Sequence, residues 1–359
     1  MTTLSLKATA RYMPEHVVTD ADFPCINDSN SRMFQGTRLR RHVDQTMTST
    51  EMLARAIEQM AGELQEQEGF VLADEVDAIL TNLALPDLPF TGSGAMLAKR
   101  AGLKPKLILD LHNGGCVSFI ALLDLARGLV ASHGLKNILI CNTQTAAGRI
   151  FSHPDHRHQP QSAIPGDGAG VALITVGGPN PIEHVLVKIH PEYAEDMQIV
   201  CDDQRQWWQP GARQFSINFD EHKLAAIVMR GNRLVPAVMR ELLAQAGLTA
   251  GALYGLITNQ PNPFFLRNWR EALSLPESRH FHTFETYANL FQAGIPVNLD
   301  AALRAGAIPA DSRIMLAGFS HAGDYSAAAI LHWQKGPLLS RTFFSRPCDE
   351  RPHPGRTVP

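Results

Sequence analysis

Cys116 ends the run Leu107-Ile-Leu-Asp-Leu-His-Asn-Gly-Gly-Cys, and its setting is the one in this chain that most directly suggests covalent chemistry. Leu107 to Leu111 is short, apolar and β-prone, so it reads as a buried strand. Beyond the cysteine, Val117, Phe119, Ile120, Leu122, Leu123, Leu125 and Leu129 suit a helix buried on most of its circumference. Asn113-Gly114-Gly115 is then a tight strand-to-helix turn that puts Cys116 at a helix N-terminus. The macrodipole and unpaired N–H groups there favour a thiolate, so the thiol pKa is expected to fall below its free value of about 8.5. A buried, inert cysteine is the competing reading.

Two other clusters invite a chemical reading. His153, His156 and His158 fall in Phe-Ser-His-Pro-Asp-His-Arg-His-Gln-Pro, a spacing that can hold a metal. The flanking prolines and charges read instead as an exposed loop, with lining of a substrate mouth as the second option and no metal expected. Trp207-Trp208 suits an aromatic pocket wall or a subunit contact equally well.

The elements that must position Cys116 belong to a large chain. Its 359 residues allow one big domain or two fused halves. Hydrophobic residues make up 45% and charged residues 19%, the balance of a globular enzyme rather than a disordered or fibrous chain. A formal net charge of −3 supplies no basic field for nucleic acid. No apolar run reaches transmembrane length and the N-terminus lacks a secretory pattern, so a cytoplasmic location without membrane insertion is expected. The five cysteines (Cys25, Cys116, Cys141, Cys201 and Cys348) are scattered and lack zinc spacing, which fits a reducing compartment.

An internal repeat supplies the architecture. Asp77-Ala-Ile-Leu-Thr-Asn82 resembles Tyr254-Gly-Leu-Ile-Thr-Asn259 at an offset of 177, and Lys136-Asn-Ile-Leu-Ile-Cys141 resembles Ser312-Arg-Ile-Met-Leu-Ala317 at an offset of 176. The nearly constant offset, more than the identities, predicts a duplicated α/β unit. In the first half, Thr91–Ala101 reads as a helix, Leu107–Leu111 as a strand and Cys116–Ser132 as a helix. In the second, Leu266–Leu273 reads as a helix, Phe281–Phe284 as a strand and Ile295–Ala305 as a helix. Shifting Asn113 by 176 gives Asn289, so the two turns should face each other across a pseudo-twofold axis. Gly166-Asp-Gly-Ala-Gly170 opens a strand rather than a helix, so its glycines read as close backbone packing and not as a phosphate loop. The expected divisions are residues 1–175 carrying the cysteine, residues 176–345, and a Pro- and Arg-rich disordered tail over residues 346–359.

Six segments in order then carry a resemblance to a known family. They are Gly36-Thr-Arg-Leu-Arg-Arg41, Asn113-Gly-Gly-Cys116-Val-Ser-Phe119, Gly166-Asp-Gly-Ala-Gly170, Asn259-Gln-Pro-Asn262, Tyr287-Ala-Asn289 and the Gly318-Phe319 loop. Together they resemble the thiolase superfamily, and within it ketoacyl-ACP synthase III, from about residue 3 to residue 345. The resemblance implies a five-layer α-β-α-β-α fold of two similar halves, as a homodimer. It also implies an acyl group taken from CoA or a carrier protein onto the cysteine, with a His and an Asn then helping to decarboxylate a malonyl thioester. By that resemblance Cys116 matches the nucleophile and Asn289 the Asn, while Asn259 occupies the position of the usual His. An amide can donate to a thioester carbonyl or oxyanion but cannot act as a base near neutral pH.

The chain departs from the family elsewhere too. The positions of a Trp and an Arg that grip the CoA nucleotide are Ser31 and Gln35, with Arg32 close by. A basic residue for carrier docking is replaced by Phe264 and its neighbour Phe265. The glycine run after Phe319 becomes Ser320-His321-Ala322-Gly323-Asp324. Its backbone N–H groups, Ala322 in particular, are expected to complete an oxyanion hole with the Cys116 N–H. His321 is the candidate replacement base and Asp324 the candidate residue that orients it.

The leading expectation is an acyltransferase that forms an acyl-thioester on Cys116 and passes it to a small-molecule or carrier-bound acceptor in specialised metabolism. A decarboxylative Claisen-condensing ketosynthase is the first alternative. The second is a non-catalytic subunit of a heterodimer. No permanently bound cofactor is expected, since acyl-CoA or acyl-carrier-protein thioester is the substrate.

Overall fold

The computed structural model describes residues 3–23, 36–88, 90–201, 203, 205–206, 209, 211, 215–219 and 221–334. In chain order the first half runs β1 (Leu4–Tyr12), β2 (His16–Thr19), β3 (Leu39–His42), α1 (Ser49–Glu68), α2 (Leu72–Glu75) and β4 (Ala78–Leu83). It continues through α3 (Gly94–Arg100), β5 (Leu107–Leu111), α4 (Ser118–His133), β6 (Asn137–Gln144) and β7 (Gly168–Val176). The second half begins with β8 (Ile182–Ile189), β9 (Met197–Cys201), β10 (Phe215–Phe219), α5 (Glu221–Ala246) and β11 (Gly255–Thr258). It ends with α6 (Pro263–Glu271), α7 (Phe284–Tyr287), α8 (Gly294–Arg304), β12 (Ser312–Ser320) and β13 (Tyr325–Trp333).

Two mixed sheets form the frame, ordered β1-β7-β6-β4-β5 and β8-β13-β12-β11. The second repeats the first strand for strand except at its last position, and both halves pair their central strands in parallel through helical crossovers. Alternation along the strands makes the layers. Ala78, Leu80, Ile138, Ile140, Ala172 and Ile174 face inward onto α4 and α8, where they meet Ile314 and Leu316 of the other sheet. Ile79, Leu139 and Leu173 face outward under α1 and α3. Met315, Ala317 and Phe319 face outward under α5 and α6. The result is the five-layer thiolase-like α-β-α-β-α fold, whose central strands β4 and β6 are buried on both faces and therefore read as unbroken apolar runs.

Three sequence expectations need correction. Leu107–Leu111 is a strand, but each of its residues is only half-buried, because β5 is the edge of its sheet. Phe281–Phe284 does not form the matching strand. Phe281 N–H bonds Leu256 O and His280 bridges Leu256, but the next donor in line, Thr283 N–H, is taken by Gln260 Oε1 (3.1 Å) and Asn298 Oδ1 (3.0 Å), and the chain turns into α7. Gly115–His133 is long and apolar enough to cross a membrane by length and composition; here it is the inner helix α4, packed between the sheets. Ser31, Arg32, Gln35, Trp207, Trp208, Cys25, Cys348 and the 346–359 tail lie outside the described residues.

Candidate active site

Cys116 sits in a 3-10 turn, Gly115–Val117, that leads directly into α4. Gly114 and Gly115 take φ values of +85° and +42°, which lets the chain leave β5 and enter the helix within a few residues. Asn82, at the end of β4, fixes the approach by donating from Nδ2 to Leu111 O (3.0 Å) and Asn113 O (2.8 Å). Cys116 is half-buried as a residue and lines a cavity of about 310 Å3. Burial pushes the thiol up to about 12, although the His321 backbone N–H, the Asn259 side chain and Cys116's own N–H each pull it down; Asp324 adds to the rise. The thiolate expected from a helix N-terminus is therefore not the resting form, because desolvation of a sulphur anion outweighs the nearby donors.

His321 follows β12 in the turn to β13 and lines the same cavity. Its Nδ1 lies 3.1 Å from both carboxylate oxygens of Asp324, and Oδ1 also accepts the Ser320 hydroxyl at 2.9 Å. The carboxylate assigns the proton to Nδ1 and leaves the lone pair on Nε2. Nε2 is turned to the cysteine turn, since a Cβ added at Gly115 would come within 2.7 Å of it. Burial pushes the Asp324 carboxyl up, but the His321 hydrogen bond and charge and the Ser320 hydroxyl outweigh this and hold it below its ordinary value. His321 has φ +44°, in the left-handed region that favours glycine, so this histidine sits where the backbone is strained.

Of the backbone N–H groups in the loop after β12, that of His321 is the one that pulls the Cys116 thiol down. Ala322 turns the other way: its methyl lies in the apolar layer under α5, and its carbonyl accepts from Arg230 Nη1.

Asn259, just after β11, is buried, and its Nδ2 donates to Phe319 O at 3.1 Å. Its Oδ1 has no hydrogen-bond partner among the described residues and presses on Gly318, where an added Cβ would lie 2.1 Å away. Asn289 also faces the cavity, with its Oδ1 accepting from Phe291 N–H at 3.1 Å and its backbone bonded to Ile164 O and Gly166 N. Ala288 and Phe291 on either side hold φ +59° and +44°. The Cys116 and Asn289 turns, far apart in sequence, thus border one cavity. Among the described residues no group of three or more His, Cys, Asp and Glu could hold a metal; the rings of His153 and His156 lie tilted to each other with centroids 5.9 Å apart.

Sequence reasoning missed the residues that hold these turns. Gln260 is fully buried and ties Thr283, Asn298 and the Ala288 carbonyl together beneath Asn289. Asp167 is buried and accepts the N–H groups of Val43 (2.8 Å), Ala147 (2.9 Å) and Gly148 (2.8 Å), fixing the start of the Ala147–Phe151 turn whose Ile150 and Phe151 wall the cavity. Both lie inside motifs singled out for their neighbours, which was the available signal. The glycines of Gly166–Gly170 do serve close packing: Cβ atoms at 166 and 170 would meet Tyr287 O and Pro296 at 2.1 and 2.9 Å. Phe265 is buried against Trp269 and Phe319, whereas Phe264 is exposed.

Comparison with known proteins places this geometry in context. Residues 109–189 match the family model for 3-oxoacyl-[acyl-carrier-protein] synthase III, and residues 243–333 match the model for its C-terminal part. Beta-ketoacyl-[acyl-carrier-protein] synthase III of Xanthomonas oryzae is 27% identical over 325 residues, covering 88% of this chain and 94% of that protein. The crystal structure of 3-oxoacyl-(acyl carrier protein) synthase III from Pseudomonas aeruginosa PAO1 superposes with a TM-score of 0.77 at 21% identity, covering 93% and 99% of the two chains. The priming beta-ketosynthase of the R1128 polyketide pathway gives a TM-score of 0.76 at 23% identity, covering 93% and 97%. Those two likenesses bear on the fold alone.

Proposed function

Because the chain is a ketoacyl-ACP synthase III-like member of the thiolase superfamily, we propose that it forms an acyl-thioester on Cys116 and transfers the acyl group to an acceptor. The observation that carries this reading is the His321–Asp324 pair, whose imidazole Nε2 is turned to the cysteine turn where no other base lines the cavity among the described residues. A thiol held near 12 needs a base at the moment of attack. His321 Nε2 takes the thiol proton as the sulphur adds to the thioester carbonyl. The carbonyl oxygen gains the negative charge, and the His321 N–H, the Cys116 N–H and the Asn259 amide supply donors around it. Collapse expels the donor thiolate, which recovers the proton from His321. The acceptor's nucleophile then repeats the addition on acyl-Cys116 and returns the enzyme to the free thiol.

The donor is an acyl-CoA or an acyl-carrier-protein thioester, and the acceptor a small molecule or a second carrier-bound group. The mainly apolar cavity wall of Leu85, Ile150, Phe151, Leu224 and Ile227 suits an acyl chain. Asn259 fits this reading better than decarboxylation, because an amide donates but does not take a proton. The synthase names of the relatives favour a second reading, a decarboxylative ketosynthase with Asn259 and Asn289 holding the malonyl thioester. A homodimer is the assembly proposed, with a heterodimer as the alternative.

Intact-protein mass spectrometry after incubation with acyl-CoAs and acyl-carrier thioesters tests the proposal. One acyl mass gained by the native chain and absent from Cys116→Ala is the expected result. No adduct from any donor, with a thiol that still alkylates, points to a non-catalytic subunit. Carbon dioxide released from a malonyl thioester selects the decarboxylative reading.

A further inference from the structure

Gln292 lies in the short turn Phe291–Ala293, which packs against both the Gly115–Val117 turn and β6. It lines the cavity that Cys116 lines, yet it is only 8% exposed. The other amides on that cavity wall are tied to the protein. Gln161 Nε2 donates to Gln159 Oε1 (2.8 Å) and Asn259 Nδ2 to Phe319 O (3.1 Å). The side-chain oxygens of Asn262 and Asn289 accept from Phe265 N–H and Phe291 N–H, both at 3.1 Å. The Gln292 amide makes no hydrogen bond to any described residue, and neither of its polar atoms is sealed inside the protein.

The wall beside this free amide is apolar. Phe291, the residue before it, packs with Ala146, Ile150 and Phe151, and its ring meets that of Phe151 edge-on with centroids 6.3 Å apart. An alkyl chain laid against this wall expels water from the cavity and leaves the amide unpaired, which is penalised in an apolar setting. A chain that carries a hydroxyl or oxo group satisfies it, since a glutamine amide donates from Nε2 and accepts at Oε1. Because the Gln292 turn packs on the turn that holds Cys116, such a group belongs near the thioester end of the chain and not at its far end.

We propose that Gln292 is a specificity-determining residue, which selects an acyl group bearing a hydroxyl or oxo oxygen a few carbons from the thioester over a plain alkyl chain. The proposal rests on the acyl-transfer reading and narrows its substrate class. Gln292 meets the oxygen by hydrogen bonding alone, so no bond is made or broken there and the chemistry at Cys116 is the same for either chain. One polar group that orients a ligand in a mainly apolar cavity is the usual design of a small-molecule site. Its discrimination comes from the wrong ligand leaving that group unpaired.

The experiment compares octanoyl, 3-hydroxyoctanoyl and 3-oxooctanoyl thioesters of N-acetylcysteamine, small donors that need no nucleotide or carrier contact. They are given to the native, Gln292→Met and Gln292→Leu full-length chains, and acylation of Cys116 yields kcat/KM for each. The native preference for the better oxygenated donor over octanoyl should fall about tenfold in Gln292→Met, the scale of one buried amide left unpaired. Damage to the fold slows all three donors together and leaves this ratio alone. Gln292→Leu should lower the ratio in the same way, and it decides the question if Gln292→Met does not fold. A ratio that changes by less than about threefold overturns the proposal, since a retained water then satisfies the amide whatever chain is bound. The same ratio read as Kd on Cys116→Ala chains, with and without the change at Gln292, needs no acyl transfer. A chain that never acylates but shows the shift in Kd overturns the acyl-transfer reading and keeps the Gln292 site; with no acylation and no shift in Kd, both are overturned.

Discussion

Nδ1 of His321 lies 3.1 Å from both carboxylate oxygens of Asp324, three residues further along the same turn. A carboxylate placed this way fixes the tautomer and ring orientation of an imidazole and stabilises the cation it forms on accepting a proton. The other ring nitrogen is turned to the turn that carries Cys116.

His321→Ala should lower turnover about 10²- to 10⁴-fold and leave the fold intact, the usual span for losing a general base. Asp324→Asn should lower it too, by allowing the wrong tautomer, whereas Asn259→Ala should reduce turnover without abolishing it. Single-turnover acylation separates these. An unchanged rate in His321→Ala removes the base assignment.

Burial places the Cys116 thiol at about 12, so raising pH deprotonates it only far into the alkaline range. Alkylation should therefore climb about tenfold per pH unit up to about pH 10 without levelling, because reactivity follows the thiolate fraction. A plateau near neutral pH would mean that the helix terminus wins over desolvation.

Gly115→Ala should expel the His321 ring. The new methyl would lie 2.7 Å from Nε2 and 2.9 Å from Ser320 Cβ, at a φ of +42° that disfavours any side chain. A stability loss of about 1–3 kcal/mol is expected from the strain and overpacking, measured by denaturant unfolding. Turnover should fall as far as in His321→Ala while Cys116 stays alkylatable.

Asp167→Asn should destabilise the chain by about 1–3 kcal/mol, because an amide turns a donor onto at least one buried N–H that now meets a carboxyl oxygen. Burial pushes the Asp167 carboxyl up to about 7. A folded pKa above the unfolded one contributes stability that is complete below about pH 4 and fades as pH rises toward 7. The difference in stability between the native chain and Asp167→Asn should accordingly narrow between pH 4 and pH 7. A constant difference across that window would show that the three donors keep the carboxyl ionised throughout.

Much of the frame is legible in the chain. The offsets of 177 and 176 locate β4 with β11 and β6 with β12, since paired central strands have to be apolar on both faces and the pattern repeats with the unit. The strand, two glycines and helix around Cys116 can be read for the same local reason. Phe281–Phe284 looks like a strand by composition, yet the side chains of Gln260 and Asn298 take the donor that would have continued the ladder.

The sequence by itself determined the duplicated fold, the cysteine at its helix start and the glycines that let backbones meet, all of which follow from local periodicity and conformational limits. Only the tertiary structure decided that burial opposes the thiolate, that Asp324 holds the His321 ring, and that Arg230 holds the Ala322 carbonyl. Desolvation, the direction of a peptide and a guanidinium 92 residues away from its carbonyl partner depend on how separate elements pack, and no local pattern carries that information.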